Sequence, residues 1–246
     1  MITTRLYGGL GNQMFQYAVA RAYQLRTGIP FVVDTKFIYS PRRYELSNLS
    51  CSPEKRSAWQ RLKRTIPVDE RITTPEKFNT LELDNLELIG YWQDEKYFKE
   101  YEEVIRKDFA LGIQMNEVST KKLKEISSSR NPVSIHIRHG DYIGNAVHPV
   151  LTDQYYKSAM EYIGSEVKDP HYFIFSDDPR YWVNDADHGF FDLELMKACK
   201  HHIIANSSFS WWGAWLGTNP DQIVVCPETW FADGSSIGIP EKWVRL

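Results

Sequence analysis

Short runs of β-branched and aromatic residues alternate along the chain with Gly-rich or polar loops and with stretches of helical spacing. This alternation constrains the fold more than any other feature. Thr3 to Tyr7 leads into Gly8-Gly9-Leu10-Gly11-Asn12-Gln13. Met14, Ala18, Ala22 and Leu25 then follow at helical spacing, and Gly28 is placed to end the helix. Phe31 to Val33, residues 132–138, His171 to Phe175, Ile203 to Ala205 and Ile223 to Val225 read as further strands. Helical stretches fit between them over Asp153–Ile163, Asp192–Cys199 and Ser210–Leu216. Repeated β then α argues for parallel sheets with helices on both faces.

A chain of 246 residues holds one large domain or two small ones. Residues 40–85, rich in charge, Pro and Ser, read as the least ordered region. A softer join near 111–131, where Gly112 and Ser127 to Ser129 flank a polar helix, marks the expected domain boundary. Two Rossmann-like halves are the expected architecture, and a single doubly wound domain is the alternative.

Composition excludes several classes. A net charge of −3 argues against a nucleic-acid binder that works by neutralising phosphates. Cys51, Cys199 and Cys226 are odd in number, far apart and without a CxxC pair. That pattern suits reduced thiols better than a disulfide framework or a zinc ribbon. No apolar run is long enough to span a bilayer, and the start lacks a basic stretch before an apolar core. A cytoplasmic location is therefore expected.

The segment Pro132 to Tyr142 is the richest in chemistry. Val133, Ile135 and Ile137 alternate with Ser134, His136 and Arg138, which is the period of a strand. His136 and Arg138 share a face near the strand's carboxyl end, Gly140 turns the chain, and Asp141 is in the loop. Ligands of open α/β sheets bind at such strand ends, and a guanidinium there offers a fork of donors matched to phosphate oxygens. An Arg–Asp pair that only holds the loop is the alternative. His136, His139 and Asp141 as metal ligands is a weaker reading, because Arg138 would set a permanent charge beside the cation.

Other loops share this plan. Gly8 to Asn12 lies between strand and helix, where backbone approaches closely and the helix N-terminus attracts anions, although a tight turn explains the same residues. In Ser176-Asp177-Asp178-Pro179, Asp178 reads as N-cap and Pro179 as the first helical residue, which leaves Asp177 to accept hydrogen bonds from a base or sugar. Asn206-Ser207-Ser208-Phe209-Ser210 puts hydroxyls at another strand mouth, with Ser210 as a possible cap. Trp211, Trp212 and Trp215 read as core. Lys55, Arg56, Arg61, Lys63 and Arg64 around Trp59 form a basic patch, either a solvated face or a contact for an anionic membrane or glycolipid.

Taken together, Gly8 to Gln13, Gly90 to Phe98, His136-Ile137-Arg138-His139-Gly140-Asp141-Tyr142 and Asn206 to Gly213, with Ser176-Asp177-Asp178, resemble the bacterial α-1,2-fucosyltransferases. The resemblance runs from residue 5 to about residue 230. It implies a GT-B-like fold of two Rossmann-like domains facing across a cleft, with an acceptor-side domain over 1–115 and a donor domain over 116–246. It also implies GDP-L-fucose as donor, inverting transfer to O2 of a galactose-terminated glycan or glycolipid in surface-glycan assembly, and no metal or other cofactor. On the matching positions, Arg138 holds the donor pyrophosphate and His136 lies against the donor. Gly11 and Asn12 approach from the N-terminal half, Ser207, Ser208 and Phe209 line the phosphate and nucleotide site, and Asp177 contacts guanosine. Asp141 is the candidate base. Two features depart from the pattern: histidine stands at 139, often a second Arg or Lys, and the stretches after Tyr142 and Pro179 are short. A protein O-fucosyltransferase and a non-catalytic carbohydrate-binding protein are the competing readings.

Overall fold

The computed structural model describes residues 1–178 and 189–246. The chain divides into two compact units, Met1–Ile113 and Gln114–Leu246. In the first, the order is β1 (Ile2–Arg5), α1 (Leu10–Thr27), β2 (Phe31–Asp34), α2 (Ala58–Arg61), β3 (Ile66–Asp69), α3 (Pro75–Asn79), β4 (Leu86–Ile89) and α4 (Glu102–Asp108). Its sheet runs β2-β1-β4-β3 with every pairing parallel. Gly28 ends α1 with φ 73°, a left-handed conformation that glycine adopts without a Cβ penalty.

The Thr4 hydroxyl donates to the Gln16 carbonyl of α1, so Thr4 faces that helix. By the two-residue period of a strand, Thr3 and Arg5 face the other side, together with their register partners Glu87 and Asp34. Two residues of the expected basic patch fill this second face. Arg56, only 8% exposed, sets Nη1 3.3 Å from Asp34 Oδ2 and 3.1 Å from Glu87 Oε1. Arg61 Nη2 lies 2.9 Å from Asp34 Oδ1. Arg56 therefore does not belong to a solvated basic surface, whereas Arg61 stays exposed and reaches Asp34 from the rim. A buried guanidinium is tolerable only beside carboxylates, and removing one partner of such a pair costs about 3–5 kcal/mol. The region expected to be least regular holds α2, β3 and α3.

The second unit continues with α5 (Glu117–Ser128), β5 (Pro132–Ile137), α6 (Asp153–Glu166), β6 (His171–Ser176), α7 (Gly189–Lys197), β7 (His201–Ile203), α8 (Ser208–Trp215), β8 (Val224–Cys226) and β9 (Val244–Arg245). Its sheet runs β6-β5-β7-β8-β9, again parallel throughout. Val133, Ile135, Ile137, Ile203 and Val225 pack with Tyr155, Ala159 and Ile163 of α6. On the opposite face Phe173 and Phe175 pack with Ile126 of α5 and with Leu195, Met196 and Cys199. Both faces are covered, as a parallel sheet requires. Trp211, Trp212 and Trp215 are buried, as expected of core residues.

Two helices begin earlier than their sequence pattern suggested: α7 at Gly189 rather than Asp192, and α8 at Ser208 rather than Ser210. Ser210 is not a cap, because its hydroxyl bonds back to the carbonyls of Ala205 and Ser207 from inside the first turn. The helical start expected at Pro179 lies outside the described residues.

Candidate active site

Parallel pairing brings the carboxyl ends of β5, β6 and β7 to one edge of the second sheet, where α/β folds bind their ligands. Three loops meet there. The first, residues 138–142, carries Arg138 just past the end of β5. Arg138 Nε and Nη2 donate to Asp141 Oδ1 at 3.1 and 2.6 Å, and Nη1 lies 3.1 Å from Asp177 Oδ2. Asp177, in the loop after β6, also accepts the His139 backbone N–H on Oδ1 at 2.9 Å. Both Asp177 oxygens therefore have partners within the protein, and its contacts join two loops. A Cβ at Gly140 would fall on Asp177 Oδ2, so a larger residue there would displace that carboxylate.

His139 extends the same clamp, its Nδ1 3.1 Å from Asp178 Oδ2, while the Asp178 N–H donates to Ser176 Oγ at 3.0 Å. The third loop is tied in by Tyr142, whose hydroxyl donates to the Asn206 carbonyl at 2.9 Å. The Tyr142 ring stacks on His148, with centroids 4.9 Å apart, and the Arg138 guanidinium lies 5.5 Å from it. Arg138 is thus held from three sides with 20% of its side chain exposed.

His136 takes a different position from Arg138. It is buried against Phe209, ring centroids 5.8 Å apart, and its Nδ1 finds no hydrogen-bond partner among the described residues. Burial, with the Arg138 charge as the lesser cause, pulls its pKa down to about 3, so the imidazole is neutral. Ser207 precedes α8 without a side-chain capping bond, and Ser208 and Phe209 form the first turn of that helix. First-turn N–H groups have no partner within their own helix and favour an anion. Asn206 is locked below them, its amide nitrogen donating to the carbonyls of Pro149 and Trp230.

In the first unit Gly8, at φ 69°, lets the chain turn beneath Asn12, whose amide nitrogen occupies the space a Cβ would need. Gly11 and Asn12 lie in the first turn of α1. Asn12 Oδ1 accepts from Gln93 Nε2 at 2.9 Å, which links this loop to the one after β4. Glu70 organises that second loop by accepting the backbone N–H groups of Tyr91 and Gln93 at 2.6 and 3.3 Å.

No role was read from the sequence for Tyr142, Glu70 or Asp192. Asp192 lies on the face of α7 that carries the buried Leu195 and Met196. Its Oδ1 has no partner among the described residues, and burial raises its pKa to about 7. A lone acid within the apolar run Phe190-Phe191-Asp192-Leu193 was the available signal. His136, His139 and Asp141 do not converge, and among the described residues no group of three His, Cys, Asp or Glu side chains is placed to hold a metal ion.

Two units, each built on a parallel sheet with its loops at the strand ends, have the architecture of the GT-B-like glycosyltransferase fold. The profile of Glycosyl transferase family 11 matches residues 1–237, and the chain belongs to that family. It is 31% identical over 296 aligned positions to an α-1,2-colitosyltransferase of Escherichia coli, covering 100% of this chain and 99% of the relative. It is 32% identical over 300 positions to the O-antigen biosynthesis glycosyltransferase WbnK of Escherichia coli, covering 98% and 99%. Alignments longer than the chain itself mean that both relatives carry internal segments this protein lacks. Among solved structures, the fucosyltransferase NodZ from Bradyrhizobium shares the fold with a TM-score of 0.53 at 13% identity, over 86% of this chain and 92% of that one.

Proposed function

We propose that the protein transfers L-fucose from GDP-β-L-fucose to O2 of a galactoside during assembly of a surface glycan, with inversion at C1. The observation that carries this reading is Arg138 just past the end of β5, held by Asp141 and Asp177, with α8 starting after the neighbouring strand β7. The motif resemblance supports the sugar and the linkage. The role of the relative WbnK in O-antigen biosynthesis supports the setting.

The chemistry follows from where charge develops. The bond from fucose C1 to the β-phosphate oxygen breaks as the galactose O2 forms a bond to C1 from the opposite face. Negative charge collects on departing GDP and positive charge on the sugar ring. Arg138 and the first-turn amides of Ser208 and Phe209 offer fixed positive partners to the diphosphate, a preorganisation that costs no rearrangement during reaction. Neutral His136 adds hydrogen-bonding capacity without a second positive charge, and Phe209 gives the nucleotide an apolar wall. The proton leaving O2 goes to Asp141, whose side chain is 46% exposed. Asp177 acts through Arg138 and the His139 amide, and Asn12 is a further donor-binding group. The charge-stabilising roles are filled by protein groups, and the reaction needs no metal.

A second reading replaces fucose with its 3-deoxy analogue, colitose, because the relative at 31% identity is an α-1,2-colitosyltransferase. Turnover with GDP-fucose and GDP-colitose on one β-galactoside acceptor separates the two. Higher kcat/KM with GDP-fucose supports the first reading, and preference for GDP-colitose replaces it. No transfer from either would overturn both.

A further inference from the structure

The segment around α2 is amphipathic in the reverse of the usual sense. Its inward side chain, Arg56, is a cation held by Asp34 and Glu87, and Arg61 at its rim pairs with Asp34. Its outward side chains are apolar: Trp59 is 80% exposed and Leu62 77%. Exposed single apolar residues are common, but an indole and an isobutyl group displayed together on one short helix and its C-cap are not.

Cations surround this pair. Lys55, Lys63 and Arg64 are exposed, and neither Lys63 nor Arg64 makes an ion pair with any carboxylate among the described residues. Lys55 rests its ammonium 4.3 Å from the centroid of the Tyr44 ring. Among the neighbouring acids, Asp34 and Glu87 point inward to Arg56, and exposed Glu54 accepts from Gln60. The helix is fixed independently of its outer face, because Ser57 and Gln60 form a reciprocal capping box.

We propose that this face, Trp59 and Leu62 ringed by Lys55, Lys63 and Arg64, docks the protein on an anionic lipid bilayer. The chemistry commits it to that occupant. Indole rings partition to the headgroup level, and Lys and Arg are attracted to negatively charged lipid. No helix among the described residues is long and apolar enough to cross a membrane, so the contact is peripheral. Vesicle binding needs neither donor nor acceptor, so this inference stands apart from the proposed transfer reaction.

The test is co-sedimentation of the whole chain with vesicles of phosphatidylethanolamine and phosphatidylglycerol, against vesicles of phosphatidylcholine alone. Binding is expected to the anionic vesicles only and to weaken as salt rises. Lys63→Glu with Arg64→Glu should lower affinity about tenfold or more. Brominated lipid should quench part of the tryptophan fluorescence, and Trp59→Phe should remove that part. These side chains pack against nothing inside, so an unchanged melting temperature certifies the variants. Equal binding to both vesicle types, or binding indifferent to the charge reversals, contradicts the proposal. So does absence of binding together with a dimer that Leu62→Glu dissolves, which would give the face to a second copy of the chain.

Discussion

Arg138 and Asp177, from loops that follow adjacent strands, meet at 3.1 Å between Nη1 and Oδ2. The aspartate thereby fixes one arm of the guanidinium while its other oxygen holds the His139 amide. A side chain that would otherwise sweep a wide arc is pre-oriented before any ligand arrives, which lowers the entropy lost on binding a diphosphate.

Replacing Arg138 by lysine keeps the charge and removes the fork. The account expects turnover to fall about 100-fold, the scale for losing one well-placed transition-state donor. The fold should persist, because Arg138 lies beyond the last strand residue. Wild-type activity should survive exhaustive EDTA. Steady-state kinetics with and without chelator, beside circular dichroism, check all three outcomes.

Asp177→Asn tests whether this carboxylate positions Arg138 or reads the base. Since both oxygens already hold protein groups, kcat/KM should drop about tenfold, in the range for a hydrogen bond to a charged group. GDP and UDP affinities should weaken by the same factor. Calorimetry showing that only GDP binding suffers would return Asp177 to guanosine.

Much of this organisation was legible in sequence, for a physical reason in each case. Gly8 to Gln13 and Pro132 to Tyr142 announced a strand and the turn after it, because side-chain period and glycine requirements are local properties. The inward turn of Arg56 and the pairing of Arg61 were not legible. Their partners, Asp34 and Glu87, are distant in sequence, and only strand pairing brings those acids together. The strand Ile66-Pro67-Val68-Asp69 hid for a related reason: it lies at a sheet edge, with Ile66 exposed and a proline that an edge tolerates. Asp177 looked open to a ligand because its partner Arg138 belongs to the preceding strand end, a contact that no spacing rule displays.

Stability should depend on pH from two directions. His136 and His202 are buried, and burial lowers both pKa values to about 3. Between there and the ordinary histidine value the unfolded chain binds more protons, so their contribution is present near neutrality and is lost as pH falls. Asp192 has the opposite sign. Raised to about 7, it costs stability as pH climbs from its ordinary value through neutrality. Asp192→Asn should therefore gain on the wild type at pH 8 relative to pH 5, by on the order of 1–3 kcal/mol. Paired thermal melts at the two pH values measure this difference, and a constant offset would contradict the buried carboxylate's role.

Asn12→Ala removes the side chain that accepts from Gln93. If the glycine loop were only a turn, Gln93→Ala would reproduce its effect. The account expects Asn12→Ala to reduce turnover well beyond Gln93→Ala, with both variants losing about 1 kcal/mol of stability. Equal activity losses would leave Asn12 a loop tie.

The most direct test of the proposed reaction is the linkage of its product. The protein is incubated with GDP-β-L-fucose and a soluble β-galactoside, and the product is read by NMR through the anomeric coupling of fucose and its correlation across the glycosidic oxygen. The account predicts an α anomer with fucose H1 correlated to galactose C2. A β anomer, attachment at another galactose carbon, or release of free fucose without transfer would contradict it.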